Sequence, residues 1–376
     1  ALDDLLGWGK WFILLAIPLA LLISWVLDRR FGPGVSSGGV TETMVAAGLH
    51  GGYLPTRLIP TKIAATAVTL GAGGSGGREG PIALIGGAIG SSFSRYTGFG
   101  QDHVKSLVAA GAGAGIGASF NAPIAGMLFA MEVILGNFAI RHLNAVVIAS
   151  VTAAVTTRSL VGQERILSAK SHDLGGATEL LLYAGLGILA ALVGVLFLKA
   201  FDTTHSKIDL FDNRPWLRPI VLGVPVAILI AIEPQLFGTG QAFIQGLVDG
   251  STLETAWWVL LLLSGLKVLA TAGTLGAHGS GGHFMPALFI GSTLGAGAAA
   301  LIAPVWTISA IDTGAFAVVG MAATFAAVAR APLTSILIVF ELTGDYGLVL
   351  PLMLATSLAT FIADRMHREN VYTIPL

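Results

Sequence analysis

One long uncharged stretch limits how this chain can fold. From Val268 to Ile311 the sequence contains no Asp, Glu, Lys or Arg. Because about 20 apolar residues cross the hydrocarbon core of a bilayer as a helix, this stretch is too long for one crossing. It is interrupted by Gly279, Gly281, Gly282 and Pro286. We therefore predict two or more helices that break inside a membrane, and such breaks are typical of transport pathways.

The composition of the 376 residues indicates a membrane protein over the whole chain. Hydrophobic residues make up 54%, charged residues 11%, and the mean hydropathy is +0.82, whereas soluble domains carry about 25% charged residues. Leu180–Leu198 has no charged side chain and predicts a spanning helix, and acidic flanks favour a spanning helix over a cleaved signal at the start of the chain. The net charge of −1 offers no surface for nucleic acid, and the lack of cysteine excludes disulfides and thiolate metal sites. We expect no metal and no other cofactor.

Two sequence blocks recur in the same order in the second half of the chain. Asn121–Glu132 and Arg330–Glu341 both run from an Ala-Pro to a glutamate nine residues after the proline, 209 residues apart. Pro81–Gly86 and Pro286–Gly291 recur 205 residues apart. We predict two membrane repeats, 1–160 and 178–376, joined by a polar linker at 161–177. The sequence alone leaves the relative orientation of the repeats open.

The stretch Gly77-Arg78-Glu79-Gly80-Pro81 places a carboxylate between glycines inside this apolar chain. Pro81 suits the first turn of a helix, so Glu79 is predicted to lie just before a helix start. The free N–H groups of a helix N-terminus attract an anion, and a carboxylate can occupy that site and leave it when protonated. The alternative is an ordinary ion pair of Arg78 and Glu79 at the membrane interface. Carboxylates within a membrane usually mark an ion or proton pathway.

Four motifs in order resemble the CLC family of chloride channels and chloride/proton antiporters. They are Gly77–Pro81, Gly282–Pro286, the two Ala-Pro blocks and Glu369–Tyr372. The resemblance implies an all-α, polytopic membrane protein with two inverted repeats of broken and tilted helices. It also implies a homodimer surrounded by membrane lipid. The expected location is a bacterial inner (plasma) membrane. The substrate would be chloride or a similar small anion, and protons are a second candidate.

The resemblance also assigns roles to individual residues. Glu79 would be the gating carboxylate that takes up a proton, Phe284 would offer its backbone N–H to the anion, and Tyr372 would offer its hydroxyl. Without the family, an interfacial aromatic anchor is the alternative for Tyr372. Helix N-termini would hold the ion without a basic residue at the centre. The predicted anion-binding set is Ser37, Gly38, Gly39, Arg78, Gly80, His283, Phe284, Met285 and Tyr372, with no role assigned to the His283 imidazole.

The first anion motif departs from the family pattern of glycine-serine-glycine-isoleucine-proline-glutamate. The sequence here is Ser37-Gly38-Gly39-Val40-Thr41-Glu42. An ungapped alignment, which we favour, puts Gly38 at the serine position and Thr41 at the proline position, whereas a shift of one residue restores Ser37. The choice among small anions therefore stays open.

A second departure concerns proton coupling. Proton-coupled relatives often carry an inner glutamate after the position of Glu132, and this chain has Val133 there. Glu132 itself is either a proton carrier or a structural carboxylate that binds a helix end or an arginine. We favour channel-like or weakly coupled transport. The alternatives are a chloride/proton antiporter and a fluoride/proton exporter of the same family.

An enzyme is not predicted. The glycine-rich run Gly111–Gly117 resembles a nucleotide-binding loop only in composition, because no strand pattern precedes it and no Lys-Ser/Thr follows. Glycines at this spacing are ordinary where membrane helices touch. The sequence also lacks the paired aspartates or Ser/His pattern of an intramembrane protease, so no catalytic residues are assigned.

Overall fold

The computed structural model describes residues 2–32, 34–162, 167, 176–206, 214–252, 255–308 and 310–375. The described part of the chain contains fifteen α-helices. A π-helical turn at Ala130–Ile134 continues α6, and a 3₁₀ turn at Pro234–Leu236 follows α9. The helices are α1 (Leu2–Phe31), α2 (Val40–Gly48), α3 (Leu58–Gly71), α4 (Glu79–Thr97), α5 (Gln101–Phe120), α6 (Pro123–Phe129), α7 (Ile140–Val161), α8 (Glu179–Ser206), α9 (Leu217–Ile232), α10 (Gln241–Asp249), α11 (Trp257–Gly276), α12 (Phe284–Ile302), α13 (Thr313–Ala329), α14 (Pro332–Thr343) and α15 (Val349–Met366).

The helical, membrane-spanning architecture agrees with the sequence prediction. Six of the described helices are long and apolar enough to cross a membrane. Leu180–Leu198 lies within α8, and the uncharged stretch breaks between the end of α11 at Gly276 and the start of α12 at Phe284. One boundary was predicted wrongly, because α4 begins at Glu79 instead of at Pro81. Gly80 has no Cβ to clash with the proline ring, so the residue before Pro81 can remain helical.

Glycines bring the central helices of each half into close backbone contact. A methyl group at Gly86 or Gly90 of α4 would collide with a backbone carbonyl of α5. A methyl group at Gly291 or Gly295 of α12 would collide in the same way with α13. Small residues allow this approach where helix association relies on packing within lipid. The same contact is thus built twice, at positions 205 residues apart.

Two glutamates cap helices in the opposite half of the chain. Glu132 Oε2 accepts from the Thr334 N–H at 2.7 Å, at the N-terminus of α14. Glu341 Oε2 accepts from the Ala125 N–H at 2.7 Å, at the N-terminus of α6. A carboxylate at a helix N-terminus satisfies N–H groups that have no partner within the helix. The structural alternative for Glu132 is therefore confirmed.

The two halves also meet through a reciprocal pair of glycines. The Gly77 N–H donates to the Gly282 carbonyl at 2.8 Å, and the Gly282 N–H donates to the Gly77 carbonyl at 2.6 Å. This antiparallel bridge joins positions 205 residues apart. An exchange of equal contacts supports two repeats related by a local two-fold axis, as in inverted repeats. The boundaries at 1–160 and 178–376 stay a prediction, and most of the linker 161–177 lies outside the described residues.

The close contact at Gly291 yields a stability test. Glycine to alanine inside a helix normally stabilises by up to about 1 kcal/mol. At Gly291 we expect the opposite, a loss of about 1–3 kcal/mol, because the methyl group overpacks against the Gly320 carbonyl. Thermal melting followed by fluorescence-detected size-exclusion chromatography measures the difference. Gly265→Ala in α11 is the matched control, since no atom lies within 4 Å of its added carbon. Equal melting temperatures for the two variants would contradict the packing argument.

Candidate functional site

A cavity of about 210 Å³ lies where three helices begin. The first residues of α2, α4 and α12, which are Val40, Glu79 and Phe284, all line it. The N-termini of helices carry unpaired N–H groups and the positive ends of helix dipoles. Their convergence favours an anion. Seven predicted site residues line this cavity: Ser37, Gly38, Glu79, Gly80, His283, Phe284 and Tyr372.

The Glu79 carboxylate is buried in this cavity, with 1% of the residue exposed. Arg78 Nε lies 3.8 Å from Glu79 Oε1, but the arginine side chain is 51% exposed. Arg78 is thus exposed and does not line the cavity, as the alternative of an interfacial ion pair predicts. Glu79 is buried in the cavity, so that alternative does not describe its carboxylate. The backbone N–H groups of Met285 and of Glu79 itself lie near the carboxylate. Oε2 has no hydrogen-bond partner among the described residues.

The position of this carboxylate depends on glycines in both halves of the chain. A methyl group at Gly77 would collide with Glu79 Oε2. A methyl group at Gly80 would collide with the Gly38 carbonyl and would lie 3.2 Å from the Gly282 Cα. Three backbone segments therefore touch at this point. A side chain at Gly80 would push these backbone segments apart and separate the helix ends that line the cavity.

The N-terminus of α12 is fixed by aromatic packing. The Phe284 ring is 3% exposed. Its centroid lies 4.8 Å from that of Phe120 and 4.1 Å from that of Phe325. Aromatic rings in such contacts add about 0.5–1.5 kcal/mol beyond the burial of their area. The ring is thus held in the core, and Phe284 lines the cavity at the start of α12. The backbone N–H of Met285 lies near the Glu79 carboxylate, and Met285 is not part of the lining.

The loop before α2 commits two of its predicted ligands to internal contacts. The Ser37 hydroxyl donates to the Gly34 carbonyl at 2.8 Å. The Gly39 N–H donates to Ser37 Oγ at 3.2 Å and to Glu42 Oε2 at 3.0 Å. Gly39 has φ +91° and does not line the cavity, so its N–H is not available to an anion there. Ser37 and Gly38 both line the cavity, so the preference for the ungapped alignment stays a prediction.

Thr41 holds Tyr372 in place. The Thr41 hydroxyl donates to the Tyr372 carbonyl at 2.9 Å, and the Tyr372 N–H donates to Asn370 Oδ1 at 2.9 Å. Tyr372 is 4% exposed and lines the cavity, so it is not an interfacial aromatic anchor. The sequence identified Thr41 only as the residue at the proline position. Its role depends on a contact between the two ends of the chain, which no local pattern indicates.

Two buried lysines support the loops at the helix breaks, and the sequence analysis missed both. Lys62 Nζ donates to the carbonyls of Val35, at 3.1 Å, and Ser37. Lys267 Nζ donates to the carbonyls of Leu236 and Gly238, at 2.9 and 2.8 Å. The lysines lie 205 residues apart, the same spacing as the repeated prolines. They donate to carbonyls and are not direct anion ligands.

The sequence analysis also missed residues that give the cavity its walls. These are Ile116, Phe129, Phe201, His205 and Leu275. Four of the five are apolar, and an apolar wall lowers the local dielectric around the helix ends. Their positions in α5, α6, α8 and α11 follow from the packing of those helices. They carry no motif by which a sequence could identify them.

Comparisons with known proteins agree with this geometry. Residues 19–364 match the family described as voltage gated chloride channel. The H(+)/Cl(-) exchange transporter ClcA of Vibrio cholerae serotype O1 is 33% identical, covering 93% of this chain and 76% of that protein. A Ralstonia nicotianae protein provisionally named a ClcB-like chloride channel protein is 32% identical, covering 96% of this chain and 85% of that protein. The crystal structure of a slow cyanobacterial Cl-/H+ antiporter superposes with a TM-score of 0.86 at 27% identity, covering 98% of this chain and 86% of that chain. Six described helices are long and apolar enough to cross a membrane, and the relatives are bacterial, so the chain is an integral, multi-pass inner-membrane protein.

The paired lysines allow a matched test of the loop geometry. Lys62→Met and Lys267→Met should both lower the melting temperature, because each leaves buried carbonyls without a donor at about 1–3 kcal/mol apiece. Only Lys62→Met should also weaken chloride binding, by about tenfold, since the loss of one hydrogen bond to a loop beside an ion has that scale. Titration calorimetry on purified protein measures the affinity. Equal weakening by Lys267→Met would contradict a local role for Lys62.

Proposed function

The chain belongs to the voltage gated chloride channel family, or CLC family, and we propose that it exchanges chloride or a similar small anion for protons. The observation that carries this proposal is the buried Glu79 carboxylate at the N-terminus of α12. A side-chain anion in an anion site is a competitor for the transported ion. It is also a group that a proton can neutralise. Transport and protonation thus act on the same point in the cavity.

The mechanism follows from weak, fixed dipoles. A helix N-terminus carries at most about half a positive charge, so it stabilises an anion without trapping it. Conduction needs sites that an ion can leave. When Glu79 takes up a proton, it loses its attraction to the N–H groups of α12. The anion then replaces it. When the side chain releases its proton to one side of the membrane, the carboxylate returns and displaces the anion to the other side.

Exchange is preferred over channel-like transport on the strength of the relatives. The ClcA protein of Vibrio cholerae and the cyanobacterial protein are both named as exchangers of protons and chloride. This reverses the preference that Val133 suggests in the sequence. Val133 is 5% exposed and has no group that carries a proton. We propose that water in the cavity lined by Glu79 supplies the proton instead.

The remaining proposals concern catalysis, the surrounding lipid, the oligomeric state and the anion. We propose a transport protein without a catalytic centre, surrounded by membrane lipid. The homodimeric state that the resemblance implies stays a prediction. So does the identity of the anion, because Gly38 provides no hydroxyl at the position where many relatives have a serine.

Glu79→Gln tests the proposal directly. The amide keeps the shape of the side chain and removes its charge and its titration. We expect faster anion flux that changes less than about twofold between roughly pH 4 and pH 8, a range that brackets the usual titration of a carboxyl group. Reconstituted liposomes with a chloride gradient, with and without a pH gradient, give the reversal potential. The unaltered protein should shift its reversal potential with the pH gradient, and Glu79→Gln should give the Nernst potential of chloride alone.

Glu369→Gln is the control, because Glu369 is an exposed carboxylate near the end of the chain. It should behave as the unaltered protein in both assays. A reversal potential of the unaltered protein that ignores the pH gradient would refute exchange and favour a channel. Fluoride in place of chloride in the same liposomes tests the fluoride/proton exporter alternative.

A further inference from the structure

The space beside Gly38 is taken by the side chain of His283. A carbon added at Gly38 would lie 3.3 Å from His283 Cε1 and 3.5 Å from His283 Nδ1. Both residues line the same cavity as Glu79 and Tyr372. The Cβ of a serine at position 38 would therefore lie tightly against the imidazole of His283, and the ring would have to shift by a few tenths of an ångström. In this chain the glycine leaves that volume to the histidine.

The imidazole is enclosed and its hydrogen bonding is incomplete. His283 is 6% exposed, and its Nε2 has no hydrogen-bond partner among the described residues. The ring packs edge-on against Phe201, with centroids 4.5 Å apart at an angle of 79°. The centroid of the Phe197 ring lies 6.1 Å from that of the imidazole. A buried polar group without a partner is unfavourable, so a histidine placed here calls for a ligand.

The hydroxyl groups of the neighbouring loop are already engaged. Ser37 Oγ donates to the Gly34 carbonyl, and Thr41 Oγ1 donates to the Tyr372 carbonyl. Neither hydroxyl is free to turn to an anion in the cavity without losing a hydrogen bond. The first anion motif therefore supplies backbone groups and no uncommitted side-chain donor at positions 37, 38 and 41.

We propose that the imidazole of His283 is a side-chain ligand of the transported anion, in place of the hydroxyl that Gly38 lacks. The proposal rests on the anion-transport function proposed above and adds a residue that determines specificity. Histidine carries at least one N–H in either charge state. A half-turn of the ring exchanges Nδ1 with Cδ2 and Nε2 with Cε1, so one nitrogen lies on the Gly38 side in both orientations. An anion selects the tautomer whose N–H faces it.

Substitutions of His283 separate a donor from a space-filling group. His283→Leu has a similar size and no N–H, whereas His283→Gln keeps an N–H donor. We expect His283→Leu to weaken chloride binding by about tenfold or more, as for the loss of a hydrogen bond to a charged group. His283→Gln should stay within about threefold of the unaltered protein. Titration calorimetry with sodium chloride on the purified protein measures both, and size-exclusion chromatography verifies that each variant is folded.

A compensating pair makes the test specific to this site. His283→Ala alone should lose chloride affinity, and Gly38→Ser added to it should restore most of the loss, because a hydroxyl then occupies the vacated volume. The proposal is overturned if His283→Leu and His283→Ala bind chloride as tightly as the unaltered protein. It is equally overturned if His283→Gln binds as weakly as His283→Leu and Gly38→Ser restores nothing. These failures leave the proposed function intact when the unaltered protein binds and exchanges chloride, whereas no binding and no flux by the unaltered protein would refute the function itself.

Discussion

The structure depends on how backbone groups are satisfied where helices stop inside the membrane. In hydrocarbon no water is available to a free N–H or carbonyl, so each break must provide partners or face a cavity. The free carbonyl and N–H groups at these breaks are satisfied in two different ways. Carbonyls of the loops before α2 and α10 accept from the buried Lys62 and Lys267. The N–H ends of α2, α4 and α12 are left toward the cavity, and this leaves a site for an anion.

Much of the fold could be predicted from the sequence, because helix breaks and repeats depend on residue types that are visible in short local stretches. The gap between α11 and α12 follows from glycines and a proline in an uncharged stretch. The recurrence of Ala-Pro followed by glutamate predicts corresponding helices. It does not predict that Glu132 caps α14 while Glu341 caps α6. Those contacts depend on how the halves are placed against each other, and a repeat spacing carries no information about placement.

The candidate site also contains residues that the sequence predicts and contacts that it does not. Glu79, Phe284 and Tyr372 lie in motifs that a sequence displays. Lys62 and Lys267 share the spacing of the repeated prolines, so a search for charged residues at that spacing would have found them. The contact of Gly38 with His283 had no such signal. It arises because loops from both repeats meet at the bridge of Gly77 and Gly282, and the volume of a missing side chain becomes visible only there.

The two repeats share the residues that support their helix ends, but the residue that takes up a proton lies where their sequences differ. Gly77 and Lys62 have like residues at the matching positions Gly282 and Lys267, so the supports are built twice. Glu79 matches Phe284. Had both positions carried a carboxylate, two like charges would face each other across the bridge and one would be forced to stay protonated. With a phenylalanine on one side, the second helix end stays free to bind whatever anion is present, and a single carboxylate competes with it. One titrating carboxyl group between two matching repeats is therefore sufficient to make anion binding depend on protons.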